Sequence, residues 1–257
     1  MPDEIPFTPS QPPPAVLDAL VAQTLIEGAT LSTWWRRQST QFLNSFMDVV
    51  QETVNNGESI TQAITRIVGG TVEGVQVPGI MRTTRGKAGA LVSTAINSIQ
   101  TEALLTTVQD NLDVIGSITQ VSTLDNRTSD ICIAYSGQTW DAETLEPING
   151  STLPFDGGTP RHFNCRSRII PVTKSFEELG IDLPEVATGT RASMDGQVPQ
   201  DITFSEWLKG KSDTFVNKLL GPVRASLWRR GKITLTQLVD MRGNPMTIDQ
   251  LEAKFGP

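Results

Sequence analysis

Asp125-Asn126-Arg127-Thr128-Ser129-Asp130-Ile131-Cys132, then Gly137-Gln138-Thr139-Trp140, then Pro160-Arg161-His162-Phe163-Asn164-Cys165-Arg166-Ser167 is the stretch on which the reading of this chain turns. Both cysteines and the only histidine of the 257 residues fall inside it. On its N-terminal side, Val114 to Leu124 is β-branched and loosely alternating (Val114, Ile115, Ile118, Val121), the pattern of a strand. Gly137 to Trp140 and Arg168 to Val172 are two further short strand candidates. Glu143 to Thr159, dense in Gly, Pro, Asn and Asp, reads as a loop. The stretch is therefore expected to be a small β-rich unit of about three strands with one long loop, over residues 113–175.

Outward from it, helical periodicity dominates. Residues 15–112 read as helical. Val16, Leu17, Leu20, Val21 and Leu25 recur at three- and four-residue spacing. A second helix, capped by Ser32 or Thr33, carries Phe42, Leu43, Phe46, Met47, Val50 and Val54 and ends near Gly57. Ser59 and Gln62 form a capping box ahead of a helix that stops at Gly69-Gly70. A connector to Gly79 precedes a long helix from about Thr84 to Gln109. Its Leu91, Ala95, Ile96, Ile99, Ala103 and Leu104 form an apolar face, and its many Ser and Thr suit close helix packing. Residues 1–14 hold six prolines and read as an extended arm. Residues 176–203 read as a linker. The tail, 204–257, is helical again: a helix near Ser205 to Leu208, one capped by Ser212, one begun by Pro222 and stopped at Gly231, and a last one boxed by Thr247 and Gln250. The expected class is α+β: a mainly helical N-terminal half, the β-rich unit, and a helical tail.

Composition bounds the partners. A net charge of −7 does not suit a surface that attracts nucleic acid as a whole. Residues 204–232 differ, with seven Lys and Arg against Glu206 and Asp213, a local +5. Lys209, Lys211, Arg224, Arg229 and Arg230 are therefore candidate contacts for packaged DNA or an acidic partner. Trp34-Trp35-Arg36-Arg37 is another candidate contact, since two adjacent residues of a helix cannot share one core-facing side. No apolar run approaches the ~20 residues of a membrane span, and the N-terminus has no secretory signal, so synthesis in the cytoplasm is expected.

The chemistry of the central stretch is open at this level. His162 and Cys165, with Cys132, could ligate zinc, but a structural zinc takes four N/S ligands. Ser129 stands where a paired Cys would complete the set. Cys132 and Cys165 could form a disulfide if the protein leaves the cytoplasm. Cys165 and His162 could act as a nucleophile and base, yet no third orienting group and no GxSxG, HExxH or phosphate loop accompanies them. The reading that requires least is two buried thiols, with His162 hydrogen-bonded to a loop carbonyl. Asp125 can cap its turn, and Arg127 and Arg166 can brace the loop from opposite sides.

These motifs, in this order, resemble the phage Mu F-like minor head proteins. The matching features are Asp125-x-Arg127-Thr128-Ser129-x-x-Cys132, Gly137, and Pro160-x-His162-x-x-Cys165-Arg166-Ser167. The tail adds Trp207, Leu220-Gly221-Pro222 with Arg224, Gly231, Val239-Asp240-x-x-Gly243, and Thr247 to Leu251. The resemblance covers roughly residues 84–257 and leaves residues 1–70 without a counterpart. It implies a structural, non-enzymatic protein of a tailed-phage virion, made in the bacterial host cytoplasm and held inside the capsid near the portal. It further implies a part in head morphogenesis, DNA packaging or viral genome ejection. The implied partners are the portal protein, the major capsid or scaffolding protein, and packaged DNA, with no membrane. It carries over no catalytic residue, no cofactor and no metal, and some relatives have CxxC where this chain has Ser129-x-x-Cys132. The contrasting expectation is a Cys/His-dependent enzyme, or a metal-stabilised DNA-binding module, delivered with the genome.

Overall fold

A computed structural model describes residues 40–72, 74–80, 85–184 and 189–256, together with 15–16, 19, 25–26 and 29–30. The Pro-rich arm, the caps Ser32 and Thr33, and the Trp34-Trp35 pair lie outside the described residues, while Leu25–Ile26 pairs antiparallel with Ala29–Thr30, where helical chain was expected. The architecture is α+β, in two folding units.

The first unit comprises residues up to Asn111 and a distant segment, 159–165. Helix α1 (Thr40–Asn55) and helix α2 (Ile60–Val68) are short amphipathic helices. Ser59 and Gln62 make the reciprocal cap expected of them, which satisfies N–H groups that the first turn cannot pair internally. Gly69 ends α2 at a φ of 85°, as its position predicts. The connector beyond is not free-running: β1 (Gly70–Val72) and β2 (Val75–Val77) form a hairpin. Helix α3 (Arg85–Gln109), of 25 residues, is the longest helix among the described residues. Phe46, Val49 and Val50 of α1, Ala63 and Ile67 of α2, and Ala88, Val92, Ala95, Ile96 and Ile99 of α3 make one buried core.

The second unit comprises 112–158 and 166–257. Its centre is an antiparallel sheet built from β3 (Ile115–Val121), β4 (Thr139–Asp141), β5 (Pro147–Ile148) and β6 (Arg168–Thr173), in the order β5-β4-β3-β6. Four strands form where three were expected, because the long loop contributes the two residues of β5. Pairing of β3 with both neighbours buries Ile115 and Ile118. A short helix, α4 (Asp130–Tyr135), stands between β3 and β4, where the sequence reading placed no helix. It packs against a 3₁₀ turn at Leu235–Leu238.

The expected linker holds regular structure: β7 (Thr190–Ser193) and β8 (Gly196–Pro199) form a hairpin. It is tied to the end of the strand region by the Met194 N–H donating to the Leu124 carbonyl at 3.0 Å. The tail follows its sequence signals. Helix α5 (Phe204–Lys209) is capped by Thr203 and Glu206, α6 (Asp213–Leu220) by Ser212, and α7 (Pro222–Arg229) starts on Pro222. Helix α8 (Ile248–Phe255) has the Thr247–Gln250 box.

Candidate functional site

The signature stretch is divided between the two units, and each part has its own work. In the second unit, the turn after β3 is organised by Asp125. Its Oδ1 accepts from the Arg127 backbone N–H at 2.9 Å and the Thr128 hydroxyl at 3.1 Å. Arg166, 41 residues away, closes a fork on the same carboxylate, with Nη1 2.5 Å from Oδ2 and Nη2 2.8 Å from Oδ1. Burial would raise the Asp125 pKa. The Arg166 hydrogen bond, the Arg127 N–H, the Arg166 charge and the Thr128 hydroxyl outweigh it and hold the carboxyl at about 2. Arg127 was expected to brace the loop with its side chain. Instead that side chain is 74% exposed, with Nε 3.9 Å from Asp125. Its contribution is the backbone donor, and Arg166 alone supplies the guanidinium fork.

Ser129 is the N-cap of α4, its Oγ accepting from the Cys132 N–H at 3.4 Å. The residue weighed as a failed metal ligand is thus a helix start. Cys132 is buried in α4, and its carbonyl accepts from the Ser122 hydroxyl at 2.7 Å. The Ser167 hydroxyl reaches the same Ser122 at 2.9 Å, so one small hydroxyl cluster ties β3, α4 and the start of β6 together.

The Gly137-Gln138-Thr139-Trp140 motif pins the long loop. Trp140 is fully buried, and its Nε1 donates to the Leu153 carbonyl at 2.9 Å. Gln138 Oε1 accepts from the N–H groups of Thr152 and Leu153. The Trp140 ring stacks on Tyr135 at 6.2 Å between centroids and meets Phe155 edge-on at 5.3 Å.

In the first unit, segment 159–165 is seated on a polar stripe of α3. Thr94, Asn97, Ser98 and Thr101, spaced i, i+3, i+4 and i+7, are all buried. Thr94 accepts from the Asn164 N–H at 3.1 Å, and Asn97 Nδ2 donates to the Cys165 carbonyl at 3.1 Å. Thr101 and Thr159 share a hydroxyl–hydroxyl bond at 3.1 Å. The segment itself is a tight turn. The Cys165 N–H donates to the His162 carbonyl at 3.1 Å, with Asn164 in the left-handed region at φ 59°. His162 Nδ1 lies 2.8 Å from the Phe163 carbonyl, the loop-carbonyl bond expected of it. Thr94, Asn97 and Thr101 of α3 therefore serve as polar partners for the returning strap.

In the strap, a ring nitrogen of His162 and Sγ of Cys165 lie within 4.8 Å of one another. Cys132 offers one thiol in the second unit, and Ser129 is occupied as a cap. Both cysteines are buried, and neither is in a disulfide.

The tail residues expected to face a partner separate into two groups. Arg224 turns inward: Nη1 is 2.8 Å from Asp130 Oδ2, and Nη2 donates to the Met246 carbonyl at 2.9 Å. It is an internal brace between α7 and α4, and so departs from the expected surface contact. Burial raises the Asp130 pKa, and the Arg224 charge works against that rise. Lys209, Lys211 and Arg229 instead line one cavity. Arg230 is exposed, its Nε donating to the Ser226 carbonyl at 3.4 Å.

No family model, no curated protein and no solved structure matches this chain. The likeness to Mu F-like proteins rests on the quoted residues alone. Among the described residues, no helix is long and apolar enough to cross a membrane.

Proposed function

We propose that this chain is a structural minor head protein of a tailed phage, seated at the portal inside the capsid and acting in head assembly. The observation that carries the reading is the employment of the signature residues. Asp125 and Arg166 form a carboxylate–guanidinium clamp, Thr128 and Ser129 are turn and cap residues, and Trp140 anchors a loop. Buried thiols and a histidine hydrogen-bonded to its neighbour's carbonyl are the chemistry of a braced scaffold. A cysteine nucleophile would need an exposed thiolate beside a base that a third group orients. In the strap, Thr94 and Asn97 of α3 bind backbone groups and Thr101 binds the Thr159 hydroxyl, contacts that hold the segment in place.

The test is co-expression with the portal protein encoded in the same phage genome. The expected result is a complex that survives size exclusion. A portal ring that elutes free of the chain, together with a DNA- or protein-modifying activity lost on replacing Cys165 by Ser and His162 by Ala, would overturn the reading.

A further inference from the structure

The second unit carries a cavity of about 230 Å³ lined from helices α5, α6 and α7. Leu208 and Val216, both buried, give it an apolar lining, and half-buried Trp228 adds an aromatic ring. Lys211 and Arg229 also line it, but both are already paired, Lys211 with Asp195 and Arg229 with Asp213 at 2.9 Å, so they shape the walls and add little net charge. Lys209, at the end of α5, is exposed and makes no salt bridge among the described residues. The carboxylate that feels its charge is Glu206, one turn back on the same helix. The cavity is smaller than the roughly 300–1,000 Å³ of sites that enclose a small molecule, and its size suits one or two side chains of an extended segment.

A segment of matching chemistry is the Pro-rich arm, residues 1–14, which lies outside the described residues. Its Pro6, Pro9 and Pro12 recur at every third residue. A polyproline II helix has three residues per turn, so this spacing sets the three rings on one ridge. Asp3 falls on the same ridge, one turn ahead of Pro6 and about 9 Å from it at the polyproline rise. Asp3 and Glu4 are the only charged side chains of the arm. Because proline fixes φ in the unbound chain as well, such a segment docks at little cost in ordering.

We infer that this cavity is the seat of the Pro-rich arm of a second copy of the chain. Two observations select the arm. Proline rings on a polyproline II ridge dock in grooves lined by aromatic and apolar side chains, and Leu208, Val216 and Trp228 supply such a lining. Charge matches as well: with Pro6 seated on the Trp228 ring, Asp3 is one turn away for Lys209, the lining cation that no carboxylate pairs among the described residues. Arm and cavity are different surfaces, so their contact is heterologous and passes from copy to copy, closing into a ring where the rotation allows. Copies seated side by side at a portal ring would meet in this way, and the choice of a second copy rests on the phage-head reading.

The test uses the full chain in sedimentation velocity. The parent should sediment faster as its concentration rises. An arm variant, Pro6→Ser with Pro9→Ser and Pro12→Ser, and a cavity variant, Trp228→Ala, should each stay monomeric. An equimolar mixture of the two should restore a 1:1 pair, because one keeps the cavity and the other keeps the arm. A labelled synthetic peptide of residues 1–14 should bind the arm variant. Adding Lys209→Ala should weaken that binding by up to about five-fold, the range of an exposed ion pair, and Lys254→Ala on α8 should leave it unchanged. Thermal melts matching the parent would show that the variants fold, and Lys209→Glu, at an exposed position, replaces Trp228→Ala if that variant melts early. A parent that is monomeric at every concentration would overturn the exchange between copies; if the peptide still binds, the arm belongs to its own chain. Self-association kept by the arm variant would overturn the inference, as would a peptide that binds equally well after Trp228→Ala. All of this is read on the chain without the portal, so failure here is distinct from a portal ring that elutes free of the chain.

Discussion

Asp125 shows how one side chain converts a turn into a fixed point. It accepts from a backbone N–H, a hydroxyl and a guanidinium fork, and its side chain is only 12% exposed. Breaking such a pair leaves a poorly solvated charge behind, which costs more than the pair contributes. The depressed pKa fixes the pH dependence. A carboxyl at about 2 in the folded state, against an ordinary 3.8, binds its proton more weakly folded than unfolded. Its stabilisation is present above the unfolded value and disappears as the pH falls from about 4 through about 2. Arg166 is 34% exposed, so the contribution is on the order of 1–2 kcal/mol. Denaturant unfolding of Asp125→Asn, Arg166→Gln and the double variant near neutral pH should give a coupling of that size. The coupling should vanish below pH ~2. Additive effects at both pH values would show that the clamp does not stabilise the fold.

At the scale of elements, the long loop between β4 and β6 is held by side chains, with only β5 as regular structure. Trp140 and Gln138 together accept or donate three bonds to residues 152–153. Trp140→Phe keeps most of the apolar volume but leaves the Leu153 carbonyl without its donor. The expected cost is about 2 kcal/mol, with faster proteolytic cleavage inside 143–159 than in the parent. Uniform cleavage rates along the chain would contradict this role for the ring.

Elements with local signals were legible in the sequence. The boxes at Ser59 and Thr247, the Ser212 cap and the Pro222 start each declare a helix within four residues. Helix α4 was not legible, because Cys132, Ile133, Ala134 and Tyr135 are all buried and so show no period. The Thr203–Glu206 box was there to be read and places the start of α5 more accurately than Ser205 does. The hairpin at 190–199 lacks the alternation that marks a half-buried strand, and the strands of the hairpin at 70–77 are three residues each, too short for a period to register. The seating of the strap on α3 and the Asp125–Arg166 clamp pair residues 41 to 70 positions apart. No local pattern encodes such pairings, although the buried stripe of Thr94, Asn97, Ser98 and Thr101 marks a helix face that wants polar partners. Gly243 is a further case. At φ 82°, it leaves room for Tyr135 Oη 2.3 Å from where a Cβ would stand, a fit that only the folded tail reveals.

For the molecule as a whole, the two units share one device. Each draws a residue set from far along the chain and fixes it with polar side chains: the strap in the first unit, the Arg166 fork in the second. Charge is unevenly spread, acidic overall and basic across α5 to α7, where Lys211, Arg224 and Arg229 are paired with Asp195, Asp130 and Asp213. These properties fit a small structural part in a larger assembly. The central claim is the seat of that part, and a density map of the intact phage particle tests it most directly. The account predicts density for this chain on the inner side of the portal vertex, in contact with the portal ring. Density confined to the outer shell, or particles that assemble and package DNA without the chain, would contradict it.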